Sequence, residues 1–233
     1  MGKSWKNAGK VENAMKKGKI FTKLAKEVSV AAKLGGGDPN MNARLRMAID
    51  AAKAESCPND TIERAIKKGT GQLDDGKIIE ELTYEGYGPH GVGVIVDCQS
   101  DNKHRTAPEM RSVFKKYGGN LGETNSVAWM FDRVSFIEAT KPGTFDPDEE
   151  AIEAGADNVD KMDDEYEFTA AVESTDTVQK ALIARGWKVG TVYIGYKPKN
   201  IADISDPQKK EVQEFLQAVD DLDDTHRVFA TIS

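Results

Sequence analysis

The strongest constraint on the fold is a glycine- and proline-rich stretch that runs directly into a β-branched segment. Residues 83–98 read TYEGYGPHGVGVIVDC. Gly86, Gly88 and Gly91 match the G-x-G-x-x-G spacing of dinucleotide-binding loops, but such a site needs a helix after the glycines. Pro89 has no backbone N–H to donate, and the valine-rich run that follows favours a strand. The stretch therefore predicts two strands joined by a tight Gly-Pro turn, and it excludes a nucleotide site.

The tip of this hairpin has two interpretations. Glycine and proline are ordinary turn residues, and the neighbouring tyrosines are suited to packing against the strands. Alternatively, an exposed tip is a contact loop that carries a tyrosine and a histidine to a partner. The residues of the candidate contact loop are Tyr84, Tyr87, Gly88, Pro89, His90 and Arg105. The sequence leaves both interpretations open.

Charge is distributed unevenly along the chain. The formal net charge is -7, yet residues 1–70 hold 15 Lys and Arg against 7 Asp and Glu. The remaining residues hold 17 basic against 32 acidic side chains, and twelve of these acids lie between residues 146 and 173. A basic head on an acidic body predicts that one part of the molecule contacts a polyanion. The alternative is that the lysines form solvated helix faces.

Several functional classes are excluded by what the sequence lacks. No apolar run has the length of a membrane span, and no apolar segment typical of a signal peptide follows the basic N-terminus, so we expect a cytoplasmic protein. The three histidines and two cysteines show no metal-ligand spacing. No hydrolase or metalloprotease motif is present. We therefore predict no enzyme, no metal, no cofactor and no small-molecule substrate.

The first 70 residues predict only helices. Apolar residues recur at helical spacing over residues 20–31, 41–52 and 60–69, and Asp60 is the predicted N-cap of the third helix. Three short helices joined by tight loops predict a small bundle. Residues 1–15 lack this spacing and predict an arm that orders on binding.

The cations of this head are the candidate nucleic-acid-binding residues, together with a tryptophan that is suited to stacking on a base. Residues 40–70 show no compelling helix-turn-helix signature, so contacts with phosphates are expected rather than base readout. The candidate residues are Lys3, Trp5, Lys6, Lys10, Lys16, Lys17, Lys19, Lys23, Arg44, Arg46, Arg64, Lys67 and Lys68.

Beyond residue 77 the spacing becomes that of strands. After the hairpin, we expect a polar turn, a helix that starts near Pro108 and a strand over residues 126–131. From residue 134 the predicted order is β-α-β-β-α-β, which is typical of the ferredoxin-like arrangement. The final helix and strand are too small to stand alone, so we expect them to complete the middle sheet.

These elements predict an α+β protein of three domains. A basic N-terminal arm and three-helix bundle occupy residues 1–76. A discontinuous α/β domain combines residues 77–133 with 206–233. A ferredoxin-like acidic domain occupies residues 134–205.

Several long segments resemble the YebC/PmpR family, in the family's order and over nearly the whole chain. The segments are residues 19–24 (KIFTKL), 31–39 (AAKLGGGDP), 62–71 (IERAIKKGTG), 84–89 (YEGYGP), Asp101-Asn102 with Arg105-Thr106, 116–122 (KYGGNLG) with Ser126-Val127, and 198–200 (PKN). Two positions depart from the family pattern. Gly2-Lys3-Ser4-Trp5 replaces Gly-His-Ser-Lys-Trp, and His90 replaces the usual glycine after the hairpin proline.

The resemblance implies a cytoplasmic, non-enzymatic protein of three domains. Some members of the family are treated as DNA-binding transcriptional regulators. Others are translation factors that act on ribosomes, including a mitochondrial translational activator. Two hypotheses follow: a transcriptional regulator that binds DNA through the basic head, and a ribosome-associated factor that binds ribosomal RNA through the head and the Tyr87-Gly88-Pro89 loop. A module that binds an acidic protein is a third, less specific reading.

Overall fold

The computed structural model describes residues 14–73, 78–162 and 165–232, with side chains from residue 18 onward. These residues form two compact units. The first unit contains residues 14–127 and 203–228, and the second contains residues 128–202 and 229–232.

The described chain alternates between helical and extended segments. The helices are α1 (Ala14–Gly35), α2 (Ala43–Ala54), α3 (Asn59–Gly69), α4 (Lys103–Lys116), α5 (Pro147–Ala154), α6 (Thr175–Ala184) and α7 (Asp206–Asp220). The strands are β1 (Glu80–Tyr87), β2 (Gly93–Ser100), β3 (Asn120–Leu121), β4 (Phe131–Thr140), β5 (Asn158–Met162), β6 (Glu165–Ala171), β7 (Lys188–Pro198) and β8 (Thr225–Ala230).

Helices α1, α2 and α3 enclose an apolar cluster of their own. Val28 from α1, Leu45 from α2 and Ile62 from α3 are almost fully buried in it. Two predicted details are wrong. Met41 is 84% exposed and precedes α2, because Asn42 is the N-cap and accepts a hydrogen bond from the Leu45 amide. Helix α3 begins one residue before Asp60, and Pro58 occupies its N-cap position.

The first sheet has the strand order β3-β1-β2-β8. Strands β1 and β2 pair antiparallel over their whole length, as the hairpin prediction required, and the C-terminal strand β8 adds to β2 as expected. Two predicted boundaries are wrong. Helix α4 begins at Lys103, well before Pro108, because the Asn102 side chain caps it. Residues 126–130 form a bend and a short 3-10 helix rather than a strand, and only residue 131 is extended, as the first residue of β4.

The second sheet has the strand order β5-β6-β4-β7, and each neighbouring pair is antiparallel. With α5 and α6 this is the predicted β-α-β-β-α-β order, and the two helices share a buried cluster with one face of the sheet. The acidic segment is not entirely solvated, since Glu150 accepts hydrogen bonds from Lys141, Arg185 and Trp187. Hydrogen bonds from Arg185, Lys141 and Trp187 lower the pKa of Glu150 to about 2.

The α+β class is confirmed: a helical N-terminal region is joined to two antiparallel sheets. The division into three domains with the predicted boundaries stays a prediction. None of the described helices is long and apolar enough to cross a membrane.

Candidate nucleic-acid interface

Two of the predicted nucleic-acid-binding lysines point toward the C-terminal end of α7. Lys19 Nζ donates a hydrogen bond to the carbonyl oxygen of Asp221 at 3.1 Å. Lys23 Nζ donates to the carbonyl oxygen of Asp220, and it also lies 3.9 Å from the Asp220 carboxylate. The last carbonyls of a helix lack partners within the helix and carry partial negative charge. The α1 lysines therefore satisfy the end of α7.

A buried carboxylate, Asp224, joins three elements of the first unit. Its side chain is 2% exposed and forms an ion pair with Lys26 of α1. Arg105 and Thr106 at the start of α4 donate to it at 2.9 and 2.6 Å, and Ser100 at the end of β2 donates at 2.9 Å. Burial alone would raise the pKa of Asp224, but the hydrogen bonds from Lys26, Thr106 and Arg105 lower it to about 2. Arg105, assigned to the contact loop from the sequence, lies in this cluster.

Arg44 is held by two carboxylates. Its guanidinium donates to both oxygens of Glu27 at 2.9 and 3.2 Å and to Glu81 at 2.9 Å. Burial opposes its charge, but the bonds to Glu27 and Glu81 raise the pKa of Arg44 further above its usual value. Gln99 of β2 also donates to Glu27, at 2.6 Å. The bundle thus meets the first sheet through charged and polar side chains.

His226 of β8 lies against this cluster. Its Nε2 accepts from Arg227 at 2.5 Å and lies 3.3 Å from Glu27. Burial, reinforced by the charge of Arg227, lowers the pKa of His226 to about 3, so the ring is neutral at neutral pH.

His226 is expected to make the free energy of unfolding depend on pH in the mildly acidic range. The unfolded pKa is about 6.5. Because the folded pKa is lower, the contribution of His226 is complete above about pH 6.5 and is lost as the pH falls toward about 3. From pH 7 to pH 5 the free energy of unfolding should fall by about 2 kcal/mol in urea titrations. The His226→Gln variant should lose this dependence, and equal profiles for the two proteins would contradict the assignment.

Four cations of α2 and α3 remain exposed: Arg46, Lys53, Arg64 and Lys67. Arg46 and Lys53 are two turns apart on one exposed flank of α2, beside its buried residues, and Arg64 and Lys67 are neighbours on α3. Across the part of the chain that the structure describes, no hydrogen bond or ion pair engages these four side chains. We call them the α2–α3 cations.

The other predicted head residues are placed differently or not at all. Lys68 is half-buried and has a partner. Lys16 and Lys17 belong to α1, but their side chains lie outside the described residues. The predicted arm residues Lys3, Trp5, Lys6 and Lys10 also lie outside them.

The hairpin tip is packed more closely than predicted. Gly88 and Pro89 are buried, so the expectation that both are exposed is wrong. A Cβ on Gly88 would lie 2.7 Å from the Phe215 ring of α7, which explains why a glycine is needed there. Tyr84 is half-buried, and Tyr87 is 36% exposed with its hydroxyl 3.3 Å from the Ser126 carbonyl oxygen. These contacts favour the packing interpretation.

His90 adopts a left-handed backbone, with φ of 60° and ψ of 20°. Glycine adopts this region without strain, which explains the glycine expected here from the family resemblance. Contacts of the imidazole with α7 offset the backbone strain at His90. Its Nε2 lies 2.7 Å from Glu211, and its Nδ1 lies 3.3 Å from Gln208.

Sequence reasoning missed Lys53 and every cation of α4 except Arg105. Lys53 could have been found, because it lies seven residues after Arg46 and so on the same helix face. Helix α4 holds five Lys and Arg against one Glu, but counting charge from residue 71 onward merged it with the acidic remainder.

The described residues contain neither a candidate metal-binding cluster nor a cysteine with a lowered pKa. No group of three or more His, Cys, Asp or Glu side chains among them is placed to hold a metal ion. Cys57 and Cys98 are both buried as free thiols. Burial raises the pKa of Cys98 to about 12, which keeps this thiol protonated at neutral pH.

Comparison with known proteins places the chain in a family. Residues 2–72 match the model described as the TACO1/YebC protein N-terminal domain, and residues 79–232 match the TACO1/YebC second and third domain. The two matches together cover nearly the whole sequence. The chain therefore belongs to the TACO1/YebC family.

Its relatives include proteins named probable transcriptional regulatory protein. One from Bdellovibrio bacteriovorus is 69% identical, with full coverage of both chains. Another from Geobacter sulfurreducens is 45% identical over 92% of this chain and 87% of its own. The crystal structure of a conserved hypothetical protein from Aquifex aeolicus superposes with a TM-score of 0.85 at 37% identity, covering 97% of this chain and 94% of its own.

Proposed function

We propose that this protein is a non-enzymatic regulator of gene expression that binds nucleic acid, with DNA as the target. Its relatives from Bdellovibrio bacteriovorus and Geobacter sulfurreducens are named probable transcriptional regulatory proteins. The name supports a regulatory role, and the chemistry of binding is argued from this chain's own residues.

The proposal rests on the exposure of the α2–α3 cations and on their lack of partners among the described residues. Lys19, Lys23 and Arg44 are held by acceptors within the first unit, so neutralising a phosphate would require breaking those contacts. Arg46, Arg64 and Lys67 have no such cost, because their side chains are exposed and no described residue engages them. Binding through these side chains is dominated by phosphate contacts and weakens steeply with salt.

Ribosomal RNA is the second candidate target, and the spacing of charge on α2 supports it. Asp50 lies on the exposed side of α2 between Arg46 and Lys53, and Glu63 precedes Arg64 on α3. A carboxylate between cations disfavours laying a whole helix along the DNA major groove. The same alternation of charge permits separate contacts with the phosphates and 2′-hydroxyls of a folded RNA. Proteins recognise folded RNA largely by its shape.

The binding surface is tested by charge reversal. We expect Arg46→Glu with Arg64→Glu to weaken binding to a fluorescent DNA duplex or ribosomal RNA fragment by about tenfold or more in anisotropy titrations. The slope of log K against log salt should become shallower by about 2 for the duplex, since each phosphate contact contributes about 0.9. The matched control is Lys180→Glu with Lys188→Glu, two exposed second-unit positions that give the same change in net charge. Failure of the wild-type protein to bind either nucleic acid would refute the proposal.

The target is decided by sedimentation of a DNase-treated lysate through a sucrose gradient. Migration with ribosomal subunits that disappears at raised salt would select ribosomal RNA. Protein that remains at the top of the gradient, together with binding to the DNA duplex, would select DNA.

A further inference from the structure

Helix α4 is strongly cationic in an acidic protein. Its 14 residues include Lys103, Arg105, Arg111, Lys115 and Lys116 against a single carboxylate from Glu109. These cations do not share one role. Arg105 is committed to Asp224, and Lys116 Nζ lies 5.3 Å from the centre of the neighbouring Tyr117 ring.

Arg111 and Lys115 lie four residues apart and therefore next to each other on one side of the helix. His104, seven residues before Arg111, continues the same side toward the start of α4. Two like charges at this spacing disfavour the helix that carries them. Glu109 does not relieve them, since it lies two residues before Arg111 and six before Lys115, and neither spacing places two side chains on the same side of a helix. Within the described ranges, neither Arg111 nor Lys115 forms an ion pair.

The helix that presents this pair is fixed in position. Thr106, Met110 and Phe114 are buried along its opposite side. The Phe114 ring packs edge-on against Phe215 of α7 with centroids 4.9 Å apart. Arg105 ties the first turn to the buried Asp224. The two cations are therefore displayed from a rigid element rather than from a loop.

We propose that the outer face of α4, formed by Arg111 and Lys115 with His104 beside them, is a second binding surface for the phosphate backbone of nucleic acid. The proposal rests on the function proposed above and extends it from one surface to two. The α2–α3 cations and the α4 face belong to the same compact unit. One nucleic acid that engages both surfaces gains affinity, because the second contact is made intramolecularly.

The test is the double variant Arg111→Glu with Lys115→Glu in the full chain, compared with Lys180→Glu with Lys188→Glu. Both change the net charge equally at exposed positions. We expect the α4 variant to bind the DNA duplex and the RNA fragment about tenfold more weakly, with a salt slope shallower by about 2 on the duplex. The control should keep the wild-type slope. Far-UV circular dichroism and a thermal melt verify that both variants fold. If the α4 variant does not fold, Arg111→Gln with Lys115→Gln replaces it.

The outcomes separate this inference from the proposed function. If the α4 variant keeps wild-type affinity and slope while Arg46→Glu with Arg64→Glu loses binding, the α4 surface is refuted and the proposed function stands. If the control weakens binding as much as the α4 variant, the effect is one of net charge, and the surface is again refuted. If the wild-type protein binds neither probe, both proposals fail.

Discussion

Replacing Asp224 by Asn is expected to lower the free energy of unfolding by about 2 kcal/mol. The substitution keeps the size of the side chain but removes the charge that Lys26 and Arg105 neutralise. The magnitude follows from linkage, because the pKa of this carboxyl falls from 3.8 to about 2 on folding and each pKa unit corresponds to about 1.4 kcal/mol. Leaving two cations beside a neutral amide adds to the cost, although Arg105 is 44% exposed and can be rehydrated.

The adjacent Asp223 provides the matched control. Its carboxylate is exposed, and only its backbone carbonyl oxygen accepts from Lys26 at 2.8 Å, so Asp223→Asn should change stability by less than about 0.5 kcal/mol. Urea titrations followed by far-UV circular dichroism compare the two variants. Equal stability for both would show that the buried charge has no role.

The loss of stability in acid provides an independent test of the role of Asp224. Because its folded pKa is lowered, the contribution of Asp224 is complete above about pH 4 and is lost as the pH falls toward about 2. The His226 contribution is lost at higher pH, between about 6.5 and 3. The wild-type protein should therefore lose stability in two overlapping stages. Asp224→Asn should shrink only the more acidic stage, to which Glu150 also contributes because its pKa is lowered to about 2 as well.

Local patterns predicted most of the fold. The valine-rich run after Pro89 favoured a strand, and it pairs with β1 as the predicted turn required. The ferredoxin-like order of the second unit followed from the strands and two helices predicted between residues 134 and 196. The errors lie where one side chain sets a boundary: the caps Asn42 and Asn102 start α2 and α4 at positions that apolar spacing does not mark.

The candidate site was harder to predict, because a sequence gives charges without their partners. Lys26 and Asp224 are 198 residues apart, and no local pattern pairs them. The lysines of α1 therefore resembled a free basic surface, although Lys19 and Lys23 satisfy the end of α7. What distinguishes Arg46 and Arg64 is the lack of an acceptor among the described residues, which is a property of the folded chain.

The close approach of α3 to α1 gives the largest expected effect of a single added methyl group. A Cβ on Gly69 would lie 2.2 Å from the carbonyl oxygen of Ser29 and 2.8 Å from the Ala32 side chain. Since backbone cannot give way as a flexible side chain does, the two helices must separate. We expect Gly69→Ala to lower the free energy of unfolding by about 3 kcal/mol, the upper end of the range for overpacking. The displacement should also weaken nucleic-acid binding, because α3 carries Arg64 and Lys67.

Replacing Gly18 by Ala should instead raise the free energy of unfolding. Gly18 lies within α1, and a Cβ there would meet no described atom within 4 Å apart from the backbone of its own helix. Alanine is favoured over glycine in a helix by about 1 kcal/mol, so Gly18→Ala should stabilise the protein by up to that amount and leave binding unchanged. Thermal melts of the two variants measure the difference. A Gly69→Ala protein as stable as Gly18→Ala would mean that the α1–α3 contact is looser than the backbone positions require, and that the α2–α3 cations are not held rigidly.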